Sequence, residues 1–399
     1  MVIHQYLRCL VLFLAGCPYF VARAEGGHPP HPQADGVRSL DVYSDRGFLH
    51  QLTGEVQGGE VPLVYRFSQD AGESWSAPIQ VSPGAAPAHG LRRGMDAQVA
   101  AHGNRVFVAW MTPGTDRWGA GPIATAFSED GGRRWHQGPN PSDDGTTTGH
   151  GFLDAAFDDQ GVLHLVWLDS RDGKQGLRGA RSKDGGKTWG TNQTLKADSC
   201  ECCANALASG VDGKMAVLFR DREPRDMGVV AYSEGIWSRS ETVAPFGWEL
   251  EGCPHSGGGI AFSRTVAGKT GAMEALWRLN AVVWNGKPET AGVYRVSRVL
   301  EEGHAWEKPV RMGGKSAMHP DLAASGTRLM AVWSEGSVLR GAVSVDGGVR
   351  WRDWMPPDAD RRGLDHPRVV PIRSGFRVFW TESYERGKVG VGSLQVPLE

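Results

Sequence analysis

The chain has 399 residues and a formal net charge of −2. A chain of this length can form two or three domains, or one large all-β domain. The near-neutral charge and the lack of a basic run argue against nucleic acid as the main partner. The 55 glycines, about twice the usual share, and the 15 tryptophans indicate many short strands joined by turns.

Residues 1–24 have the features of an export signal. Arg8 gives a positive start, an apolar stretch follows, and Ala22-Arg-Ala24 resembles a cleavage site. The apolar stretch is too short to span a bilayer comfortably. A second interpretation is a bacterial lipobox at Leu14-Ala-Gly-Cys17, in which Cys17 would carry a lipid anchor. Both interpretations predict an exported protein, either periplasmic or anchored to the membrane as a lipoprotein.

One motif, Ser-x-Asp-x-Gly-x-x-Trp, occurs four times. Its copies begin at Ser68, Ser128, Ser182 and Ser344. The starts are 60, 54 and 162 residues apart, and worn copies at Ser233 and Glu301 occupy the two missing places. A fixed period near 50 residues in a β-rich sequence favours a propeller of stacked sheets.

The motif is suited to a tight hairpin turn. The Asp carboxylate can accept backbone N–H groups, the Gly supplies a positive φ, and the Trp packs beneath the turn. We therefore predict a structural role for the four aspartates, which are Asp70, Asp130, Asp184 and Asp346.

Alternating strands that end in an aromatic residue recur between these motifs. They predict an all-β propeller of four-stranded antiparallel blades across residues 39–397, after a flexible linker at 25–38. We count seven blades, with six as the alternative. Their first strands are expected near residues 40, 95, 152, 203, 257, 319 and 366. The last blade has only three strands, so an N-terminal strand is expected to complete it.

The four motif copies resemble the Asp-box (bacterial neuraminidase) repeat of the sialidase superfamily. The resemblance spans about residues 40–397 and implies a β-propeller, in a family that holds both sialidases and non-catalytic proteins. Its sialidases use an arginine triad for the substrate carboxylate, a Tyr–Glu nucleophile pair and an Asp acid/base. This sequence lacks the family's Phe/Tyr-Arg-Ile-Pro motif, and the triad cannot be placed residue by residue.

The loops that precede the first strands of the blades are expected to meet at the mouth of the central channel. We call them the first-strand loops. Six of these loops can be identified in the sequence, and five of the six carry His or Cys. The predicted metal ligands are His150, Cys202, Cys203, Cys253, His255, His319 and His366. Thiolate and imidazole ligands outside the cytoplasm favour copper, with zinc next.

The four cysteines beyond the export signal also allow a disulfide interpretation. Cys200, Cys202, Cys203 and Cys253 are an even number in an exported chain. Cys200 or Cys202 could then pair with Cys253. The sequence leaves disulfide and metal site open.

The loops after the second strands are predicted to reach the same face. Their acids and arginines would suit an anionic or sugar ligand. The speculative catalytic set is Tyr384, Glu382, Asp169, Arg171 and Arg222.

Three functions therefore remain open. The preferred one is an exported monomeric propeller whose channel mouth holds a small-molecule, glycan or metal ligand. The second is an exo-sialidase-like glycoside hydrolase acting on sialylated or related acidic glycans. The third is a non-catalytic propeller that docks proteins. Whether the protein is an enzyme is left undecided.

Overall fold

A computed structural model describes residues 36–57, 59–81, 86–267, 274–300, 304–357, 364–383 and 388–398. These residues form strands and turns, and no helix among them is long and apolar enough to cross a membrane. The predicted export signal, Cys17 and most of the predicted linker lie outside the described residues.

The strands form antiparallel sheets that follow the order of the chain. The first sheet contains β1 (Gly36–Asp45), β2 (Phe48–Val56), β3 (Leu63–Ser68) and β4 (Ile79–Gln80). The second contains β5 (Gln98–His102), β6 (Arg105–Pro113), β7 (Ala120–Ser128) and β8 (His136–Gly138). The third contains β9 (Gly151–Phe157), β10 (Leu163–Asp169), β11 (Gly176–Ser182) and β12 (Gln193–Lys196).

The remaining sheets repeat this arrangement with local variations. The fourth contains β13 (Ala206–Ser209), β14 (Met215–Arg220), β15 (Met227–Ser233), β16 (Ile236–Trp237) and β17 (Glu241–Thr242). The fifth contains β18 (Gly258–Ala267), β19 (Glu274–Asn285), β20 (Gly292–Val299) and β21 (Val310–Gly313). The sixth contains β22 (Ala317–Ser325), β23 (Arg328–Glu335), β24 (Val338–Ser344) and β25 (Arg352–Trp354). The last three strands are β26 (Asp365–Ile372), β27 (Gly375–Ser383) and β28 (Val389–Pro397).

The first strands of successive sheets contact one another, and the last contacts the first. In order, these strands are β1, β5, β9, β13, β18, β22 and β26, and β26 also contacts β1. The N-terminus joins the final sheet, because Gly36 pairs in parallel with Val389 of β28. The Trp75 and Phe379 rings also meet, with centroids 6.1 Å apart. This contact with β28 is a single bridge, because β1 pairs along its whole length with β2 of the first sheet.

The apolar core lies between neighbouring sheets. The second strands are rich in valine and aromatic residues, which suit a pleated surface buried on both faces. Trp167 and Trp380, which end the apolar runs of β10 and β27, are 0% and 1% exposed. The aromatic residues that the sequence placed at these strand ends therefore fill the space between sheets.

The four Ser-x-Asp-x-Gly turns have the predicted hydrogen bonds. In the second copy, Asp130 Oδ1 accepts the N–H groups of Arg133 and Arg134 at 3.0 and 2.9 Å. Ser128 Oγ donates to the same carboxylate, and Gly132 N–H donates to Ser128 Oγ, both at 2.9 Å. The corresponding carboxylates are Asp70, Asp184 and Asp346. Each aspartate thus organises its own turn.

The same turn also packs against the preceding sheet. Trp135 meets the Tyr65 ring edge-on, with centroids 5.2 Å apart. Gly132 has a φ of +86°, and a Cβ at this position would lie 2.1 Å from the Tyr65 ring. Only glycine satisfies both the backbone conformation and the close approach.

We expect Gly132→Ala to destabilise the protein more than Gly235→Ala. Gly235 has a similar φ of +90° but nothing within 4 Å of a built Cβ. The control should cost about 1–2 kcal/mol of backbone strain, whereas Gly132→Ala adds about 1–3 kcal/mol of overpacking. Urea unfolding of both variants measures the difference. Equal losses would show that the Tyr65 contact is unimportant.

Candidate functional site

The first-strand loops share an unusual backbone conformation. Most L-residues avoid positive φ, although histidine tolerates it better than most. Five of the loops have a residue with positive φ two positions before an equivalent first-strand residue. These are Gly94, Phe152, His255, His319 and His366, with φ of 84°, 55°, 52°, 52° and 40°. Recurrent strain of this kind is common where side chains are aimed at a ligand.

The cysteines before β13 form a compact thiol cluster. Cys200 Sγ lies 3.7 Å from Cys202 Sγ and 3.5 Å from Cys203 Sγ. These three residues are 1%, 6% and 1% exposed. Cys202 Sγ also belongs to a second group, in which the ligand atoms of Cys202, Cys253 and His255 all lie within 4.8 Å of one another. Cys202 therefore joins the two predicted cysteine-bearing loops.

These spacings suit metal coordination better than disulfide pairing. All four described cysteines are free thiols in the structure. A tetrahedral site with metal–sulfur bonds of 2.3 Å has sulfur–sulfur edges of about 3.8 Å. The two measured distances within the cluster are close to that edge.

Two buried arginines lie beside the cluster, and neither forms an ion pair with a carboxylate among the described residues. Burial lowers the pKa of Arg225, but the charges of Cys200 and then Glu201 raise it. Arg220 is 2% exposed, and its guanidinium donates to the backbone carbonyls of Ser256, Arg225 and Trp284. Arg225 is 7% exposed and donates weakly to Leu250 O at 3.4 Å. A buried guanidinium needs a nearby negative charge. No sequence pattern indicated this role, because tertiary packing alone decides which arginines are buried.

The thiols supply that negative charge. Contacts with Cys202 and then Cys203 hold the pKa of the Cys200 thiol well below its usual value, and Arg225 adds to the effect. Burial raises the pKa of the Cys203 thiol to about 12, while the charge of Arg220 opposes the shift. These shifts favour ionisation of Cys200 over that of Cys203.

His319, Asp365 and His366 form a separate group. The two imidazole rings stack with centroids 3.5 Å apart and an interplanar angle of 16°. Asp365 Oδ1 lies 2.6 Å from His366 Nδ1 and 3.4 Å from His319 Nδ1. Asp365 was not among the predicted ligands, although its position beside His366 in the sequence was a usable signal.

The protonation states in this group follow from its surroundings. Burial, and then the charge of His366, lower the pKa of His319 to about 3, so this ring is neutral at pH 7. Burial raises the pKa of Asp365, but the hydrogen bond from His366 and the nearby positive charges bring it down to about 2. Asp365 is therefore ionised.

The loop before β5 lies between the thiol and histidine groups. Burial lowers the pKa of Arg92, and the charges of Cys202 and Cys253 oppose that shift, which places Arg92 beside the thiols. Two residues further on, a Cβ at Gly94 would lie 2.7 Å from His366 Nε2. Two residues along the chain span at most about 7 Å. The thiol cluster and the histidine group therefore lie on either side of the short segment from Arg92 to Gly94.

The predicted ligand His150 lies in a different environment. It is 0% exposed, and its Nε2 lies 3.1 Å from Asp144 and 3.8 Å from Asp169. Asp169 is also fully buried and accepts hydrogen bonds from Arg171 at 2.8 Å and from Arg178 at 3.1 Å. The structure thus joins His150 to the predicted catalytic residues Asp169 and Arg171, in a charge network that is already paired.

The other predicted catalytic residues belong to other sheets. Arg222 lies 3.2 Å from Glu201 and helps to line a polar cavity of about 500 Å³, which the loop between β10 and β11 also lines. Glu382 lies near the end of β27, paired with Gly390. Tyr384 lies outside the described residues.

A charge cluster lies two residues beyond the positive-φ positions. Arg368 donates to Asp41 at 2.8 Å and lies 3.8 Å from Asp321. Burial lowers its pKa, but the charges of Asp321, Asp41, Asp154 and Asp96 raise it above the usual value. About 33% of the Arg368 side chain remains accessible, which indicates a water-filled space beside it.

Comparison with known proteins supports the fold. No family model and no curated protein matches the chain. The chain is similar to the Fusarium graminearum α-L-arabinofuranosidase Arb93A, with 12% identity, a TM-score of 0.51 and coverage of 90% of this chain and 92% of that one. It is also similar to a Penicillium chrysogenum α-L-arabinanase, with 13% identity, a TM-score of 0.50 and coverage of 90% and 93%.

A third similar structure is NanB with Optactamide. The identity is 11% and the TM-score 0.50, with coverage of 76% of this chain and 65% of that one. The chain thus spans less than two thirds of the length of NanB. These identities establish the fold alone, which is that of propeller glycoside hydrolases. The predicted all-β propeller is confirmed at that level.

The charge cluster predicts a pH dependence of stability. Burial raises the pKa of Asp154 from 3.8 to about 7, although Arg368 lowers it. A carboxyl whose pKa is higher in the folded state costs stability once it ionises. Its stabilising contribution is therefore complete below about pH 4 and is lost as the pH rises through 7.

We expect Asp154→Asn to flatten this pH dependence. The amide stays neutral and keeps an oxygen that can accept the Leu207 N–H, which lies 2.6 Å from Asp154 Oδ2. Urea midpoints at pH 5 and pH 8 should differ less in the variant than in the wild type. Asp353→Asn, at an exposed position on β25, serves as the control. An unchanged pH dependence in Asp154→Asn would contradict the assignment.

Proposed function

We propose that the protein is a seven-bladed propeller whose channel mouth binds a soft metal ion through thiolates. Copper is the first candidate and zinc the second. The observation that carries the proposal is the thiol cluster beside two buried arginines that form no ion pair with a carboxylate among the described residues.

The seven-blade count rests on the contacts between first strands. Seven such strands contact in sequence, and β26 contacts β1. A parallel pair at Gly36 and Val389 and the packing of Trp75 on Phe379 connect the two ends of the chain. These contacts support a ring in which the first-strand loops surround a common channel.

Charge balance supports bound metal at the thiol cluster. Burying Arg220 and Arg225 without an anion would be costly, and breaking such compensation typically costs about 3–5 kcal/mol. The thiolates provide the anions, but several adjacent thiolates would repel one another without a cation. A bound metal ion keeps its cysteine ligands deprotonated, so they can balance the arginine charges. Its own positive charge offsets the repulsion between the thiolates.

The ligand set favours a soft metal. Cys200, Cys202 and Cys203 offer three buried sulfurs, while Cys253 and His255 lie at the outer side of Cys202. Thiolates select Cu(I) and zinc over hard cations.

We further propose that the protein is exported to the periplasm, or is anchored to the membrane by a lipid at Cys17. We also propose that it acts as a monomer.

A second candidate function is glycoside hydrolysis. It is favoured by the similarity in fold to the arabinofuranosidase, which was solved with an iminosugar inhibitor. The pairing of Asp169 with Arg171 and Arg178 weakens it, because this carboxylate is fully engaged. Turnover of a fluorogenic sialoside or arabinofuranoside that is lost in Glu382→Gln or Tyr384→Phe would support it. We expect no turnover.

We expect Cys202→Ser to weaken metal binding severely. Cys202 belongs to both ligand groups. We therefore expect Cys202→Ser to lower the metal affinity by more than the about 10–100-fold that is typical of changes to residues behind the ligands. The measurement is competition for Cu(I) between the reduced protein and a chromophoric chelator. His150→Gln is the control and should retain wild-type affinity, because His150 belongs to the separate network with Asp144.

Native material provides the decisive check. The exported protein, purified without chelator, should contain metal in stoichiometric amount and four free thiols by intact mass. Two disulfides and no metal would overturn the proposal. Thermal unfolding of Cys202→Ser verifies that the variant is folded.

A further inference from the structure

The histidine group has the donor set of a second metal site. Its three ligand atoms lie within 4.8 Å of one another, on His319, Asp365 and His366. The donors are two imidazole nitrogens and a carboxylate oxygen, in contrast to the sulfurs of the thiol cluster. Such donors suit zinc and Cu(II) better than Cu(I).

The two rings are held together at a structural cost. Both histidines have positive φ, of 52° and 40°, at register shifts near the starts of β22 and β26. Single residues in this conformation cost about 1–3 kcal/mol when the surroundings impose it. The strain brings both rings to the same carboxylate. It therefore indicates a specific placement of these side chains.

The three side chains are partly open to solvent. Those of His319, Asp365 and His366 are 17%, 49% and 19% exposed. Gly94 borders His366 Nε2, where any larger residue would press on the ring. Solvent therefore reaches the edge of the site.

The arginine beside this group is already paired. Arg93 donates to Asp96 at 2.5 Å and to the carbonyls of Leu40 and His366 at 2.6 Å. The Arg93–Asp96 pair is neutral as a unit. The negative charge of Asp365 thus remains available to a cation.

We infer that His319, Asp365 and His366 form a second, borderline metal site that binds Zn²⁺ or Cu(II), beside the soft thiolate site. The two sites flank the Arg92–Gly94 loop. The inference goes beyond the proposed thiolate function and stands on separate residues, so each can fail without the other.

The test uses the full-length mature protein in the Cys202→Ser background. Calorimetric titration with Zn²⁺ should show one equivalent, and EPR of the Cu(II) form should show coupling to two nitrogens. Adding His366→Gln or His319→Gln should weaken Zn²⁺ binding more than the about 10–100-fold expected for outer-sphere changes. Adding His136→Gln, at an exposed histidine on β8, should change nothing.

The outcomes are distinguishable. Loss of the Zn²⁺ equivalent in both histidine variants, together with two-nitrogen coupling, supports the second site. Unchanged Zn²⁺ binding in these variants, or a Cu(II) spectrum without two nitrogens, overturns it. If the wild type binds no Cu(I) but Zn²⁺ binding depends on His366, the thiolate proposal fails and this one stands. Circular dichroism of each variant confirms that it is folded.

Discussion

The structure depends on how its first strands converge. Apart from the single bridge between Gly36 and Val389, each first strand is paired on one edge only, and its other edge leaves backbone N–H groups without a strand partner. Aspartates from neighbouring sheets accept some of these groups, as Asp41 does from Val99 and Asp321 from Val369. Arg368 then compensates the carboxylate charges. Without that guanidinium, adjacent carboxylates would repel one another where the sheets meet.

This convergence explains why chemistry gathers at the first-strand loops. Once the strands are fixed by their carboxylates, the residues two positions earlier are brought to one mouth. The thiols there face buried Arg220 and Arg225, while the histidines face Asp365. The same position of the repeat can thus supply thiolate ligands to one metal site and imidazole ligands to another. The outer turns, organised by aspartates such as Asp130, hold the sheets in place and remain apart from this chemistry.

Much of the fold could be predicted because it repeats. The seven expected first strands coincide with observed strands, and all four motif aspartates make the predicted turn contacts. The sequence predicted a single metal site of mixed Cys and His ligands, whereas the structure separates these residues into a thiol cluster and a histidine group. His150 lies two residues before the repeat position, which Phe152 occupies, and therefore enters the network of Asp144. Periodicity locates a loop but does not fix the direction of each side chain within it.

The sequence by itself determined the repeat, the turn chemistry and the clustering of cysteines, because these depend on residues close together in the chain. The tertiary structure alone decided the charge environment. It buried Arg220 beside Cys203, tied Asp169 to Arg178, and stacked His319 on His366. These pairs are 17, 9 and 47 positions apart in the chain. The first two pairs lie within one sheet each, and only His319 and His366 belong to different sheets. Burial and charge pairing arise only once the folded strands share one interior.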